Sequence, residues 1–226
     1  MATIVFDLDG TLIDTAPDLL ASTNAMLTAD GREPIVRADL DHLVGRGGRA
    51  MLARAFAMRG RELGEDELDE LIPPFLAHYE ADIPGASKPY QGMVECLDRL
   101  AAAGHTLAIC TNKFEHLARA LMRALDLADR FATIAGPDTF DARKPDPAHL
   151  LRTIDAAGGD RTAAIMVGDS INDIEAARRA NVPSIGVPFG YTDVPMARLS
   201  PTVLVETFAE IDGGLVRRLL ATVPAS

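Results

Sequence analysis

The chain begins MATIVFDLDGTLIDT, residues 1–15, where an apolar run ends in Asp7 and Asp9 on either side of Leu8. Successive side chains of a β-strand point to opposite faces, so we expect both aspartates on one face and Leu8 on the other. A tight turn with a positive φ at Gly10 is one explanation, because aspartates often accept hydrogen bonds from turn amides. The alternative is a nucleophile or metal ligand beside a general acid–base. The remainder of the chain is needed to decide between them.

Short β-rich runs alternate with segments of helical period along most of the chain. The predicted strands cover residues 3–8, 106–110, 131–136, 163–168 and 183–187. This alternation predicts an α/β fold, a Rossmann-like parallel sheet with helices on both faces. Between about residues 17 and 84 only helical spacing is present. We therefore expect a small all-helical cap at 16–85, inserted after the first strand of a core formed by 1–15 and 86–226.

Composition excludes several classes of protein. The 226 residues carry 22 basic and 33 acidic side chains, a net charge of −11, which opposes non-specific binding to nucleic acid or an anionic membrane. Cys96 and Cys110 lie in apolar segments and are expected to be buried thiols. No apolar run reaches the roughly 18 residues of a membrane span, and no signal-peptide pattern is present. We expect a cytoplasmic protein, either a monomer or a homodimer.

Three further segments at predicted strand ends or in the loops beyond them carry polar residues, and ligands of open α/β sheets bind at the carboxyl ends of strands. Thr111 and Asn112 follow one strand, and Lys144 lies in the proline-bounded segment ARKPDP. Asp169 ends another strand, with Asp173 one helical turn later. Each has an ordinary structural explanation: helix capping, a solvated loop lysine, or stabilisation of a helix dipole. Their arrival at one sheet edge favours a shared functional site.

The predicted crowding of carboxylates requires cations. Two like charges 4 Å apart repel by roughly 4 kcal/mol at an effective dielectric constant near 20. Several aspartates at one sheet edge therefore need a metal ion as well as Lys144. Oxygen-only ligands favour Mg²⁺, which is commonly held by a few carboxylates and a substrate phosphate.

Four segments together resemble the haloacid dehalogenase superfamily, and within it the phosphoglycolate phosphatase-like hydrolases with a helical cap. They are DLDGTLIDT at 7–15, TN at 111–112, KPDP at 144–147 and GDSINDI at 168–174. Their order and spacing match the family's four motifs, and the resemblance covers essentially the whole chain. It implies Mg²⁺-dependent hydrolysis of a small phosphorylated metabolite, with 2-phosphoglycolate as the first expectation, through an aspartyl-phosphate.

The resemblance also implies roles for individual residues. Asp7 is the expected nucleophile, and Asp9 the catalytic acid that later activates water, so we expect Asp9 to be protonated when substrate binds. The remaining implied roles are catalysis and phosphate binding by Thr111 and Lys144, phosphate binding by Asn112, and metal binding by Asp7, Asp9 through its carbonyl, Asp169 and Asp173.

The cap contains a glycine-rich turn and helix start, VGRGGRAML, at residues 44–52. Arg46 is the expected substrate-binding residue, with Arg49 as the alternative, because the planar fork of arginine suits a carboxylate. The same pattern is also typical of an ordinary helix connection.

Related activities can be weighed by single residues. Family dehalogenases do not need the second aspartate, so Asp9 argues against that activity. Phosphonoacetaldehyde hydrolases use a cap lysine, and residues 16–87 contain none. β-Phosphoglucomutase-like phosphotransfer stays open, as does a non-catalytic phosphate-binding or receiver-like protein of another class.

Overall fold

A six-stranded parallel sheet forms the centre of the computed structural model, which describes residues 1–42, 47–192 and 194–221. The strands of this sheet are β1 (Thr3–Phe6), β4 (Thr106–Cys110), β5 (Thr133–Ala135), β6 (Ala164–Gly168), β7 (Ser184–Gly186) and β8 (Val203–Leu204). Their spatial order is β5, β4, β1, β6, β7, β8. Two short strands outside the sheet, β2 (Ile13–Asp14) and β3 (Lys88–Pro89), form an antiparallel ribbon. The first strand therefore occupies the middle of the sheet.

Helices cover both faces of this sheet. They are α4 (Met93–Ala102), α5 (Glu115–Ala124), α6 (Pro147–Ala156), α7 (Ile171–Arg179) and α8 (Gly213–Leu220). Alternation along β1 explains the two layers, because Ile4 and Phe6 join one hydrophobic cluster and Val5 joins another. The first cluster includes residues of α4, α5 and α8, and the second includes residues of α6 and α7. The sheet is therefore packed against a layer of helices on each face.

Along the chain, the two strands of the ribbon are separated by three α-helices: α1 (Ala16–Ala29), α2 (Gly48–Met58) and α3 (Glu65–Ala81). They contribute most of a separate hydrophobic cluster that includes Leu27, Phe56 and Phe75. The carboxylate of Asp18 in α1 accepts hydrogen bonds from the backbone amides of Ala86 at 2.8 Å and Ser87 at 2.9 Å. The two segments that connect these helices to the sheet are thus tied together. Within the described residues, none of the helices has the length and apolar character needed to cross a bilayer.

The predicted fold class is confirmed, and the differences are confined to short elements. All five predicted strands are present, although four of them are shorter than predicted and cover residues 3–6, 133–135, 164–168 and 184–186. β8 and the β2–β3 ribbon were not predicted, because a two-residue strand has too few positions to show alternation. Cys96 and Cys110 are buried and form no disulfide, as expected.

Candidate active site

The carboxyl ends of three adjacent strands bring the predicted polar residues to one edge of the sheet. Asp7 follows β1, Thr111 follows β4 and Asp169 follows β6. The chain must turn sharply after β1, and Gly10 has a φ of +83°. A Cβ atom at Gly10 would lie 2.4 Å from Oδ2 of Asp169, so this close approach requires glycine. The turn of the first interpretation is therefore present and brings Gly10 against Asp169, while the catalytic interpretation of Asp7 and Asp9 stays a prediction.

Asp7, Asp169 and Asp173 form a buried acidic cluster. One carboxylate oxygen from each lies within 4.8 Å of the others. Thr11 Oγ1 donates to Oδ1 of Asp169 at 2.8 Å, and the backbone amide of Tyr191 donates to Oδ2 at 2.7 Å. These contacts fix the orientation of Asp169. A set of three carboxylates with no nitrogen or sulfur ligand fits a hard cation such as Mg²⁺.

Lys144 supplies the positive charge within the acidic cluster. Its ammonium lies 2.8 Å from Oδ1 of Asp7 and 2.6 Å from Oδ1 of Asp173, and its side chain is 1% exposed. The other oxygen of Asp173 accepts from the backbone amide of Ser170 at 2.9 Å and from its hydroxyl at 2.7 Å. Asp173, at the start of α7, therefore positions Lys144 as well as belonging to the acidic cluster.

Burial and crowding change the ionisation of this group. Burial raises the pKa of Asp7 to about 7, an effect that Lys144 opposes and Asp173 reinforces. The pKa of Asp169 is raised well above its usual range by burial, and Asp173 and Asp7 add to this. Although burial disfavours an ammonium, the carboxylates of Asp173 and Asp7 raise the pKa of Lys144. The lysine thus stays charged, and one ammonium faces the three carboxylates of the cluster.

Asn112 and Thr111 differ in what they contact. The side chain of Asn112 donates from Nδ2 to the carbonyl of Lys144 at 3.0 Å, and its Oδ1 accepts from the amide of Lys144 at 3.0 Å. Asn112 therefore fixes the backbone of Lys144. The hydroxyl of Thr111 accepts from the amide of Lys113 at 3.1 Å, which leaves its own proton free for another acceptor. Phosphate binding by these two residues stays a prediction.

Asp9 lies beside the acidic cluster, and its side chain faces a different set of partners. Its Oδ1 accepts from the hydroxyl of Thr15 at 2.7 Å, and Lys113 Nζ lies 3.0 and 3.1 Å from Oδ1 and Oδ2. Burial opposes the charge of Lys113, but Asp9 raises the pKa of this lysine. Lys113 is thus the ionic partner of Asp9 among the described residues, and protonation of Asp9 with substrate bound stays a prediction. Metal binding by the backbone carbonyl of Asp9 stays a prediction.

A cavity of about 600 Å³ lies between the sheet edge and the helices α1–α3. Asp7, Asp9 and Thr111 line it on the side of the sheet. Phe75 and Tyr79 of α3 line it on the opposite side. A small ligand in this cavity therefore meets the carboxylates of Asp7 and Asp9 and residues of the inserted helices at the same time.

With this geometry described, the chain can be compared with known proteins. The family model for the haloacid dehalogenase-like hydrolases matches residues 4–187. The chain belongs to this family.

Two curated relatives of this hydrolase carry the name phosphoglycolate phosphatase. The protein from Agrobacterium fabrum is 54% identical over 96% of the chain and 93% of its own length. The protein from Mesorhizobium japonicum is 49% identical over 96% of both chains. The crystal structure of a predicted phosphoglycolate phosphatase from Haemophilus somnus has a TM-score of 0.85 at 29% identity, covering 93% of this chain and 96% of that one. The hydrolase is accordingly a phosphoric monoester hydrolase.

Of the two arginines considered for substrate binding by the hydrolase, the structure describes Arg49 alone. Arg46 lies outside the described residues. Arg49 lines the cavity but pairs with Glu65 at 2.5 Å and with Asp69, both in α3. These ion pairs tie α2 to α3, which is a structural role for Arg49.

Lys113 of the hydrolase was missed by the sequence analysis, although a signal was available. The chain has only three lysines, and Lys113 directly follows Asn112, a predicted phosphate-binding residue. A rare residue type beside a predicted site residue was a usable signal. No comparable signal marked Tyr191 or Tyr79, because their contacts depend on how distant segments pack.

Proposed function

We propose that this hydrolase is a Mg²⁺-dependent phosphoglycolate phosphatase that acts through an aspartyl-phosphate. The observation that carries the proposal is that Asp7 belongs to both the acidic cluster and the cavity, whereas Asp9 lines the cavity alone. One carboxylate can thus contact metal and phosphorus, while the other is placed for proton transfer. The choice of 2-phosphoglycolate follows the name of relatives up to 54% identical to the chain.

In the proposed reaction an oxygen of Asp7 attacks phosphorus, and the bond to the ester oxygen breaks. Asp9 donates a proton to the departing glycolate oxygen. In the second step Asp9 takes a proton from water, the resulting hydroxide attacks phosphorus, and Asp7 is released. Asp9 must therefore carry a proton before the bond to the ester oxygen breaks.

The surrounding residues have supporting roles in this proposal. Lys144 balances charge on Asp7 and the transferred phosphoryl group, and the free proton of Thr111 binds a phosphoryl oxygen. Asn112 holds the segment that carries Lys144. Asp7, Asp169 and Asp173, with the carbonyl of Asp9, would hold Mg²⁺, which supplies charge stabilisation for the phosphate.

The deciding experiment measures phosphate release from a panel of small phosphate esters that includes 2-phosphoglycolate, with and without EDTA. We expect Mg²⁺-dependent turnover of 2-phosphoglycolate and a loss of about 1,000-fold or more in Asp7→Asn, since an amide is a far weaker nucleophile. Asp129→Asn, which changes an exposed acid away from the cavity, serves as the matched control. Undiminished turnover in Asp7→Asn would exclude the covalent mechanism. A hexose 1-phosphate that yields isomer and no phosphate would instead support the mutase.

The cap and the location of the hydrolase complete the proposal. We propose that residues 16–85 form a cap domain on a core of 1–15 and 86–226, which the separate hydrophobic cluster of α1–α3 supports. The bacterial relatives and the absence of an apolar spanning helix among the described residues support a cytoplasmic location.

A further inference from the structure

The cavity contains a buried cation outside the acidic cluster. Lys113 Nζ contacts Asp9, and its side chain is 6% exposed. An ammonium has three N–H donors, so an ion pair with one carboxylate leaves capacity for a second acceptor. Lys144 is already shared between Asp7 and Asp173, and Arg49 is paired within the inserted helices and is 37% exposed. Arg143 also lines the cavity but is exposed. Among the described cations that line the cavity, Lys113 alone has a buried side chain, which places it to meet a second negative group of a substrate.

Tyr79 brings a second donor to the same point from α3. The ammonium of Lys113 lies 4.3 Å from the centre of the Tyr79 ring. The residue is 2% exposed, and the proton of its buried hydroxyl has no acceptor among the described residues. A buried donor without an acceptor costs free energy, which a ligand that accepts its proton would recover. Both donors line the cavity that contains Asp7 and Asp9.

The chemistry of the proposed substrate fits this pair. In 2-phosphoglycolate a single CH₂ group separates the carboxylate from the ester oxygen. A substrate whose ester oxygen contacts Asp9 therefore places its carboxylate within a few ångströms of that residue, and Lys113 is bound to the same residue.

We propose that Lys113 and Tyr79 form the subsite that binds the carboxylate of the substrate. This inference rests on the proposed function and extends it from the phosphate to the leaving group. Lys113 is then a specificity-determining residue that selects esters with an acidic leaving group, and Tyr79 completes the subsite only when α3 lies over the sheet edge.

The test compares kcat/KM for 2-phosphoglycolate with that for 2-hydroxyethyl phosphate, which has the same two-carbon chain without the carboxylate. We expect the ratio to fall about 10- to 100-fold in Lys113→Met and by a smaller factor in Tyr79→Phe, as for loss of a charged and a neutral hydrogen bond. Lys113→Arg should retain part of the preference. A general loss of activity that the substitution causes through Asp9 lowers kcat/KM for both substrates, so it cancels in the ratio. Lys88→Met and Tyr90→Phe are the matched controls, because neither residue lines the cavity.

A binding measurement separates this inference from the proposed function. Calorimetry with Mg²⁺ compares phosphonoacetate, which keeps the carboxylate, with methylphosphonate, which lacks it. We expect wild type to bind phosphonoacetate more tightly than methylphosphonate. Lys113→Met should lose most of this preference, and Tyr79→Phe should lose a smaller part of it. Absence of 2-phosphoglycolate turnover in wild type would refute the proposed function, and the binding preference would still decide the subsite. The proposed subsite is wrong if wild type shows no preference for phosphonoacetate, or if Lys113→Met and Tyr79→Phe both keep the full preference. It is also wrong if Arg49→Met is the only variant that abolishes the preference.

Discussion

Lys144 holds a cluster of like charges together at the centre of the site. Its ammonium is the shared partner of Asp7 and Asp173, and all three side chains are nearly or fully buried. Buried carboxylates are tolerated only when cations and hydrogen bonds compensate for lost hydration. The lysine that the proposed reaction needs for charge balance is therefore also required for the stability of the substrate-free protein.

Lys144→Met should lower the free energy of unfolding by about 3–5 kcal/mol, because the substitution leaves the neighbouring carboxylates without their cation. Urea unfolding of the metal-free protein measures the loss. Added Mg²⁺ should recover part of it, since the ion also binds these acids. Lys88→Met, at an exposed lysine, is the control. Equal losses in the two variants would contradict the role of Lys144.

Residues within the motifs were predictable, whereas residues that complete the site through packing were not. Asp7 and Lys144 stand in segments whose spacing carries information by itself. Tyr79 reaches the site because α3 folds across the sheet edge, and the sequence of α3 shows only helical periodicity. Thr11 was within the opening segment, but its contact with Asp169 depends on the pairing of β1 with β6.

At the scale of elements, α6 contains a histidine that the fold keeps neutral. His149 is fully buried, and neither ring nitrogen has a hydrogen-bond partner among the described residues. Its ring lies 6.5 Å from that of Phe140 in an edge-on arrangement. Burial lowers the pKa of His149 to about 4, and the charge of Lys144 adds to this effect. The packing of α6 is therefore sensitive to acid.

The sign of this sensitivity follows from linkage. Between about pH 6.5 and 4 the unfolded chain binds a proton at His149 and the folded protein does not, so stability falls as pH falls through this window. At pH 4.5 the contribution is about 2–3 kcal/mol. Between pH 7 and 4.5 we expect the free energy of unfolding of His149→Leu to fall by about 2–3 kcal/mol less than that of wild type. Urea midpoints and slopes at the two pH values measure it, and equal losses would show that His149 is not responsible.

Elements were predictable in proportion to their length and burial. The central strands are continuous apolar runs bounded by polar residues, so their positions could be read with errors of one or two residues. β8 and the β2–β3 ribbon could not, because their pairing is decided by neighbours in space. The helix α3, Glu65–Ala81, lies within the stretch of predicted helical spacing, although it contains Pro73 and Pro74. Its acidic first turn and regular apolar spacing outweigh the two prolines.

At the scale of the whole molecule, the acidic cluster links stability to metal and to pH. The raised pKa values of Asp7 and Asp169 mean that the folded metal-free protein binds protons that the unfolded chain has released. Between the ordinary value of 3.8 and about 7, the contribution of Asp7 to stability therefore decreases as pH rises, and the raised pKa of Asp169 acts in the same direction. A bound cation would reverse this trend, because it stabilises the ionised carboxylates and competes with protons.

Mg²⁺ should accordingly raise the melting temperature, and raise it more at pH 8 than at pH 5.5. A concentration 100 times the dissociation constant adds about 2.7 kcal/mol, which corresponds to roughly 5–10 °C for a chain of this size. Thermal unfolding with Mg²⁺ and with EDTA at matched ionic strength measures the shift. Asp169→Asn should remove most of it, and Asp129→Asn should keep it. A shift that is larger at pH 5.5, or that survives in Asp169→Asn, would place the metal outside the acidic cluster, because only ligands that must lose a proton give this pH dependence.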